Sequence, residues 1–293
     1  MILDPSTHYN LRRRKRFDTL FRVFCLIAAC IGMLLLIVLI GKVFSDGFSH
    51  LSWKFITGDL SERARRTGLW PAIVGSIYVM ALTTLISVPV GVGAAIYLEE
   101  FNRKKNRFVN MIQLNIANLS GVPSIVYGLL GRVLFVYFFG FKQSIIAGAL
   151  TMTLLILPTV IIVTQEALRA VPKSYREGSM ALGSTQWQSI RLQVLPNAMS
   201  GILTGVILSI SRAIGETAPL IVVGAASYVS SLPKDLGDSY TVLPIKIFDW
   251  ANASQDEFHK VAASAIIVLM VALLAMNSLA IFFRAKAQAK VRR

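Results

Sequence analysis

Six apolar stretches alternate with short polar segments along the 293 residues of the chain, and few charges fall inside them. About 20 apolar residues in a helix are enough to cross the hydrocarbon core of a bilayer. A helix also satisfies its own backbone hydrogen bonds in lipid. The pattern therefore predicts an all-α, polytopic membrane protein with six transmembrane helices, at 23–41, 70–98, 120–131, 143–165, 198–224 and 261–283.

The third span is the least regular of the six, because amide side chains interrupt the stretch that precedes it. They are Asn110, Gln113, Asn115 and Asn118. A helix with one polar and one apolar face lies in the membrane interface rather than across the bilayer. We therefore expect an interfacial amphipathic helix over 102–119 and a crossing helix that starts near Ser120.

Composition supports this class of protein and excludes others. Hydrophobic residues make up 55% of the chain and charged residues 15%, whereas soluble domains carry about 25% charge. Thirty Lys and Arg against 15 Asp and Glu give a net charge of +15. Nucleic-acid binding is not expected, because it needs a solvated basic face. Cys25 and Cys30 lie in one apolar run, which argues against a disulfide framework or a cysteine-rich metal site.

The basic residues indicate which side of the membrane each connection faces, since short loops rich in Lys and Arg stay in the cytoplasm. The two terminal segments and the connections after the second and fourth spans hold 18 Lys and Arg, and the opposite loops hold seven. This bias predicts a multi-pass protein of the cytoplasmic (inner) membrane with both termini in the cytoplasm. The first apolar run is long and lacks an A-x-A-like cleavage site before Asp46, so we expect an uncleaved helix.

The connection between the fourth and fifth spans, over 166–197, is far longer than most connections. Pro172 suits the start of a helix and Gly183 suits a helix stop, while Pro196 is expected to close a second short element. These signals predict two short helices with a turn between them. A long cytoplasmic element of this kind has the form of a docking element for a partner.

Six residues of this connection form a family-specific pattern. They are Glu177, Gly178, Ser179, Gly183, Leu195 and Pro196. The pattern resembles the EAA loop of ABC importer permeases, E-A-A-x3-G-x9-I-x-L-P, with Gly178 and Ser179 in place of the alanines and Gln193 in place of the isoleucine. The resemblance implies a coupling helix that sits in a groove of a cytoplasmic ATPase. The alternative is an ordinary amphipathic connector with a chance spacing.

Three further segments resemble the phosphate-import permeases of the Pst type, and the resemblance runs from about residue 70 to the C-terminus. They are 120–128 (SGVPSIVYG), 212–219 (RAIGETAP) and 244–248 (PIKIF). The length and the short basic N-terminus are closer to the A-type permease subunit of that family than to the C-type. The resemblance implies the type I permease fold of ABC importers.

This resemblance also implies an organisation and a set of partners. We expect a permease core over 70–284, preceded by a cytoplasmic tail over 1–20, a transmembrane helix over 21–43 and an external loop over 44–69, and followed by a tail over 285–293. The implied partners are a second permease subunit of the C-type, two cytoplasmic ATPase subunits, an external phosphate-binding protein and membrane lipid. ATP is then bound by the partner ATPase subunits, and no cofactor is expected in this chain.

Arg212 and Glu216 lie in a span that carries no other charge between Leu192 and Gly224. An ionised side chain near the bilayer centre costs about 2.5–3.5 kcal/mol, so such residues usually face a pore or a partner. Their spacing predicts one helix face, one turn apart, and an arginine fork matches an oxyanion in charge and geometry. Arg212, Glu216 and the adjacent Thr217 are the candidate substrate-path residues. The alternative is an ion pair that fixes helix register against a partner subunit.

The chain has no G-x-x-x-x-G-K-[ST] phosphate-binding loop, so we do not expect it to be an enzyme. The predicted function is that of a permease subunit of an ATP-driven importer of inorganic phosphate. Two alternatives stay open: a permease of the same superfamily for sulfate, molybdate or another oxyanion, and a non-transport membrane scaffold or intramembrane enzyme. Arg132, at the external side of the third span, is a second candidate for anion contact, with a membrane-boundary role as its alternative.

Overall fold

The computed structural model describes residues 5–102, 107–225, 229 and 232–291, and the regular structure in these ranges is entirely helical. The α-helices are α1 Pro5–Gly47, α2 Trp53–Thr57, α3 Trp70–Ile96, α4 Arg107–Ser120, α5 Ser124–Gly131, α6 Ile145–Arg169, α7 Lys173–Ala181, α8 Gln186–Ser189, α9 Leu195–Ile214, α10 Ala218–Val223, α11 Leu243–Ala251 and α12 Asp256–Val291. A 3-10 turn follows α1 at Phe48–His50, and π-helical turns lie at Tyr97–Phe101, Arg132–Phe138 and Ile190–Val194. The predicted all-α class is confirmed.

Five helical stretches of the described chain are long and apolar enough to cross a membrane. They are Arg14–His50, Trp70–Phe101, Ile145–Arg169, Gln186–Ile214 and Asp256–Phe282. A sixth span results if Arg107–Ser120 and Ser124–Phe138 are taken together, although this pair bends by 104°. The helix predicted for the interface and the third span are thus the two arms of one bent pair, and the first arm ends at Ser120.

The first helix is longer than its apolar run. α1 begins at Pro5 and continues without a break to Gly47, so that residues 5–20, expected as a tail, are helical. The large apolar side chains from Phe17 to Leu39 are exposed in the isolated chain. α1 packs against α12, and Ser264 donates a hydrogen bond of 2.7 Å to the carbonyl of Gly47. The first helix is therefore attached to the core near its C-terminal end.

The fourth predicted span, α6, lies at the centre of the core and packs against α3, α4, α5 and α9. Of the 18 most apolar consecutive residues of α6, 61% are buried. The corresponding share is 28% for α3 with its π-helical turn and 0% for α1. Glycines allow the close approach of the neighbours. A Cβ at Gly91 of α3 would lie 2.7 Å from Val160, and a Cβ at Gly205 of α9 would lie 2.6 Å from Val163. These contacts fix α3 and α9 on two sides of α6.

The segment at 232–242 closes over the N-terminus of α6, on the predicted external side. The amide of Ile145 donates to the carbonyl of Asp238 at 3.2 Å, and the amide of Ile146 donates to that of Leu236 at 3.1 Å. These bonds satisfy two of the four N–H groups that a helix start leaves unpaired. The external end of the central helix is therefore held by a loop from the other half of the chain.

A close contact between α3 and this loop gives a testable prediction. A Cβ at Gly75 would overlap the backbone carbonyl of Thr241. Since a backbone cannot swing aside, Gly75→Ala is expected to lower the free energy of unfolding by about 1–3 kcal/mol. Gly93→Ala, in the same helix, is the control, because no atom lies within 4 Å of its Cβ position. Thermal unfolding in detergent should separate the two variants, and equal midpoints would contradict the close contact.

The fifth span, predicted as one helix over 198–224, is divided in the structure. α9 ends at Ile214 and α10 begins at Ala218. Pro219 has no N–H to bond to the carbonyl of Gly215, and its ring clashes with the preceding turn of a helix. The span predicted over 198–224 is therefore broken at the position of the candidate substrate-path residues.

The prediction that Pro196 closes a second short helix is also wrong. The helical run continues from Gln186 through the π-helical turn Ile190–Val194 into α9. A π-helical turn ends the regular hydrogen-bond ladder, and Pro196 then occupies the first turn of the next α-helix, where an N–H has no intrahelical partner. Gly183, in contrast, follows the end of α7 with a φ of +86°, as a helix stop should.

Candidate functional site: a cavity between two broken helices

Two helix breaks meet beside one cavity of about 380 Å³. One break separates α4 from α5, and the other separates α9 from α10. A Cβ at Gly128 of α5 would lie 2.8 Å from the Cα of Pro219 at the start of α10, so the two helices after the breaks are in direct contact. The polar residues of the lining are Ser120, Ser124, Tyr127, Thr159, Ser209, Arg212 and Glu216.

Arg212 lies in the last turn of α9, and its side chain, 74% exposed, lines the cavity. Glu216 lies in the break, and the distance from Arg212 Nε to Glu216 Oε1 is 3.6 Å. This distance is an ion-pair contact rather than a hydrogen bond. The two residues therefore do not share one helix face, as their spacing predicts, because the helix ends at Ile214. The break nevertheless keeps the carboxylate next to the guanidinium.

The third candidate residue, Thr217, is the residue that immediately precedes α10. Its side chain does not cap the helix, and it is not among the residues that line the cavity. Its carbonyl accepts a hydrogen bond of 3.1 Å from the amide of Ile221 in the first turn. The structure thus brings Arg212 and Glu216 to the cavity, whereas Thr217 does not line it.

The start of α5 adds hydrogen-bond donors to the same cavity. Pro123 precedes this helix without a side-chain cap, and the first amide bonded within it is that of Val126, at 3.0 Å from the Pro123 carbonyl. The preceding amides, from Ser124 onward, have no intrahelical partner. Tyr127 donates a hydrogen bond of 2.7 Å to the carbonyl of Leu119 and so ties the two arms of the break together. Free amides, hydroxyls and a guanidinium around one space suit an oxyanion.

The predicted coupling residues divide between two places. Glu177 and Gly178 are exposed on α7, and the hydroxyl of Ser179 donates a hydrogen bond of 2.5 Å to that of Ser189 on α8. Gly183 makes the left-handed turn between the two helices, a conformation that glycine adopts without strain. These four residues form one element with α8.

Leu195 and Pro196, the other end of the pattern, lie apart from this element at the start of α9. Both are half-buried, and Leu195 packs against the apolar cluster that α6 and α9 share. The pattern therefore extends from an exposed element to a helix that is anchored in the core.

Exposed apolar side chains gather on the same element as the coupling residues. Tyr175 and Met180 lie on α7, Leu182 lies in the turn after it, and Trp187 lies on α8. The side chain of Leu182 is the extreme case, since 89% of the residue is exposed. Apolar groups clustered on a polar surface mark an interaction site. We call these four residues the docking surface.

Sequence reasoning missed one pair in this region. Arg176 contributes to the positive charge that sets orientation, but it is buried and its guanidinium binds the buried carboxylate of Glu100. The available signal was Glu99-Glu100, an acidic pair at the end of an apolar span directly before a basic run. Nothing in the sequence shows which of the many basic residues this pair meets.

Two other cations do not reach the cavity. Arg132 donates hydrogen bonds to the carbonyl of Val222 at 3.4 Å and to the hydroxyl of Tyr137 at 3.2 Å, close to the C-terminus of α10. A cation is favourable at a helix C-terminus. Lys246 on α11 is buried beside Asp249, with 3.7 Å between nitrogen and oxygen. Burial lowers the pKa of Lys246, and the carboxylate of Asp249 partly offsets this effect.

Comparison with known proteins relates this arrangement to a family. The family described as "Binding-protein-dependent transport system inner membrane component" matches residues 87–293. The phosphate transport system permease protein PstA of Pasteurella multocida is 31% identical over 293 residues, which cover 97% of this chain and 99% of that protein. The probable ABC transporter permease protein YqgI of Bacillus subtilis is 37% identical over 199 residues, 68% of this chain and 67% of that protein.

A solved structure shows the same fold at low identity. The MetNI methionine ABC transporter, in inward-facing conformations, matches with a TM-score of 0.61 and 17% identity over 75% of this chain and 97% of that one. At 17% identity this match shows a shared fold alone. With the family match over most of the chain and a full-length relative above 30% identity, this chain belongs to the binding-protein-dependent transport system inner membrane components, and within them to the PstA-type permeases.

Proposed function

We propose that this chain is the permease subunit of an ATP-driven importer that translocates inorganic phosphate across the cytoplasmic membrane. The observation that carries the proposal is the position of Arg212, an exposed guanidinium at the junction of two helix breaks in a span with one other charge. The name of the Pasteurella multocida relative, a phosphate transport permease, supports phosphate over other oxyanions.

In this proposal Arg212, Glu216 and Thr217 belong to the substrate path. The guanidinium binds the anion with two N–H groups, which is the geometry that an arginine fork offers. Glu216, 3.6 Å away, balances the charge of the empty cavity and competes with phosphate for the guanidinium, so that the anion is not trapped. Thr217 joins the break to α10 and follows Glu216 directly in the chain.

The coupling residues Glu177, Gly178, Ser179 and Gly183 position the docking surface in a groove of a cytoplasmic ATPase subunit, and Leu195-Pro196 continue it into α9. ATP is bound and hydrolysed by two such subunits, and this chain holds no cofactor. A second permease subunit of the C-type completes the path, and an external phosphate-binding protein delivers the substrate. Both termini lie in the cytoplasm.

The test is substrate-stimulated ATP hydrolysis by the complex that copurifies with this chain, reconstituted in lipid vesicles with its binding protein. Phosphate is expected to stimulate hydrolysis and to accumulate inside, whereas sulfate and molybdate should do neither. Stimulation by sulfate or molybdate in place of phosphate would show that the importer carries that oxyanion and not phosphate. Copurification of the chain without any ATPase subunit would favour a membrane scaffold.

A further inference from the structure

The coupling element, which consists of α7, the turn at Gly183 and α8, has few buried contacts of its own to hold it in place. α7 has nine residues, all of them described, and a helix of this length has almost no independent stability. Arg176 is the one buried residue among the nine, with 8% of its surface exposed. Besides the Ser179–Ser189 hydrogen bond, Arg176 is therefore the main side chain that attaches α7 to the rest of the chain.

All three guanidinium nitrogens of Arg176 bind neighbouring segments. Nε donates to the two carboxylate oxygens of Glu100 at 3.1 and 3.0 Å, and Nη2 donates to one of them at 2.5 Å. Nη1 donates to the carbonyl of Val171 and Nη2 to that of Leu168, each at 2.8 Å. One side chain thus joins α7 to the end of α3 and to the end of α6.

Further contacts make the acceptor side rigid. Glu100 is 1% exposed and lies in the π-helical turn Tyr97–Phe101 that continues α3. Its carbonyl accepts a hydrogen bond of 2.6 Å from the side-chain amide of Gln186 on α8. The adjacent Glu99 also pairs with Arg169 of α6 at 2.8 Å, but the arginine side chain is 54% exposed and such a pair contributes little to rigidity. The end of α3 is therefore bound to both helices of the coupling element through Glu100.

Stability alone is a poor explanation for this pair. A buried ion pair is often no more stable than a well-packed apolar pair of the same volume, because both charges lose their hydration. An apolar contact, however, can slide, whereas a bidentate fork fixes the distance and the orientation of both partners. The use of the one buried position of α7 for such a fork points to a requirement for fixed geometry.

We infer that Arg176 is a positioning residue that makes the coupling element and the cytoplasmic end of α3 one rigid unit. A displacement of the docking surface then moves α3 and, through the extensive α3–α6 contact, the face of α6 that lines the cavity. The direction of this transmission, from ATPase to cavity, rests on the proposed function. The rigid attachment itself does not.

The first test compares Arg176→Lys with Arg169→Lys in the reconstituted complex. Lysine keeps the charge but cannot form the fork, so Arg176→Lys is expected to lower phosphate imported per ATP hydrolysed by about fivefold or more. Basal hydrolysis and copurification of the ATPase should be retained. Arg169→Lys is the matched control, because its pair is half-exposed and such pairs contribute little. An unchanged import-to-hydrolysis ratio in an assembled Arg176→Lys complex would overturn the inference.

The second test separates rigidity from stability. In Glu100→Leu with Arg176→Met the buried pair becomes apolar at similar volume, which should preserve folding. The inference expects this double variant to assemble and to be uncoupled like Arg176→Lys. A double variant that couples ATP hydrolysis to import as the wild type does would overturn it, since apolar packing would then be sufficient.

A third measurement does not depend on the substrate. Spin labels at the exposed positions Ser174 on α7 and Tyr97 at the end of α3 report the distance between the two segments. In the wild-type complex this distance should be narrow and equal with and without ATP, and it should broaden in Arg176→Lys. A wild-type distance that changes with ATP would overturn the inference. If instead the distances behave as expected and no phosphate is imported, only the proposed function fails.

Discussion

Replacing Arg212 with alanine is expected to reduce phosphate import by about 10- to 100-fold, because hydrogen bonds from a charged donor contribute about 1.5–3 kcal/mol. The side chain is largely exposed to the cavity, so its removal leaves the packing of α9 intact. Arg212→Lys should fall between the wild type and the alanine variant, since it keeps the charge and loses the fork. Uptake of labelled phosphate, normalised to the amount of assembled complex, measures the effect.

Arg132→Lys is the control for this experiment. Arg132 binds a carbonyl and a hydroxyl away from the cavity, and an ammonium can replace one such bond, so import should stay within about twofold of the wild type. An Arg212→Ala complex that assembles and imports at the normal rate would remove Arg212 from the substrate path. Loss of import in Arg132→Lys alone would indicate that Arg132, on the predicted external side, contacts the anion instead of Arg212.

Leu182→Asp is expected to weaken binding of the ATPase subunit by about 10- to 100-fold and to abolish import. Burial of a leucine side chain at an interface contributes about 1.5–3 kcal/mol, and a carboxylate at the same place also has to lose its hydration. Because 89% of Leu182 is exposed in the isolated chain, the substitution should not affect folding. Copurification of the ATPase with the tagged chain measures binding, and thermal unfolding of the chain measures its stability.

Leu236→Asp provides the matched change on the other side of the membrane. Leu236 is also an exposed leucine, 43% in its case, but it lies in the segment that covers the N-terminus of α6. This variant should retain the ATPase. If Leu182→Asp captured the ATPase as well as the wild type does, the docking surface would have to lie elsewhere on the chain.

The helical class and the approximate positions of the spans follow from the sequence, because each depends on local composition. Apolar runs without charge identify the crossing helices wherever the backbone stays regular, as at α3 and α6. A residue that ends a helix can also be predicted where its effect is local. Gly183 ends α7 as predicted, because its φ of +86° is a conformation that favours glycine. The prediction failed at Pro196. This proline follows the π-helical turn and lies in the first turn of α9, where a missing N–H breaks no intrahelical hydrogen bond.

The candidate site could be predicted only in part. The isolated charge of Arg212 in an apolar span is a sequence signal. The cavity that Arg212 lines could not be predicted from the sequence, because its walls come from the break before α5, from α6 and from the end of α9. The spacing of Arg212 and Glu216 predicts one helix face. Because of Pro219, however, α9 already ends at Ile214, between the two residues. The carboxylate of Glu216 lies in the break and still contacts the guanidinium.

The sequence by itself determined that this protein is a multi-pass helical membrane protein and a PstA-type permease, because composition, spacing and motifs act over a few residues at a time. The tertiary structure decided which charges meet. Arg176 and Glu100 are 76 residues apart in sequence, and either could have paired with other cations or carboxylates of the same segments. Their pairing depends on the packing of α3 against α6, which helps to place both at a buried position where an unpaired charge would be costly.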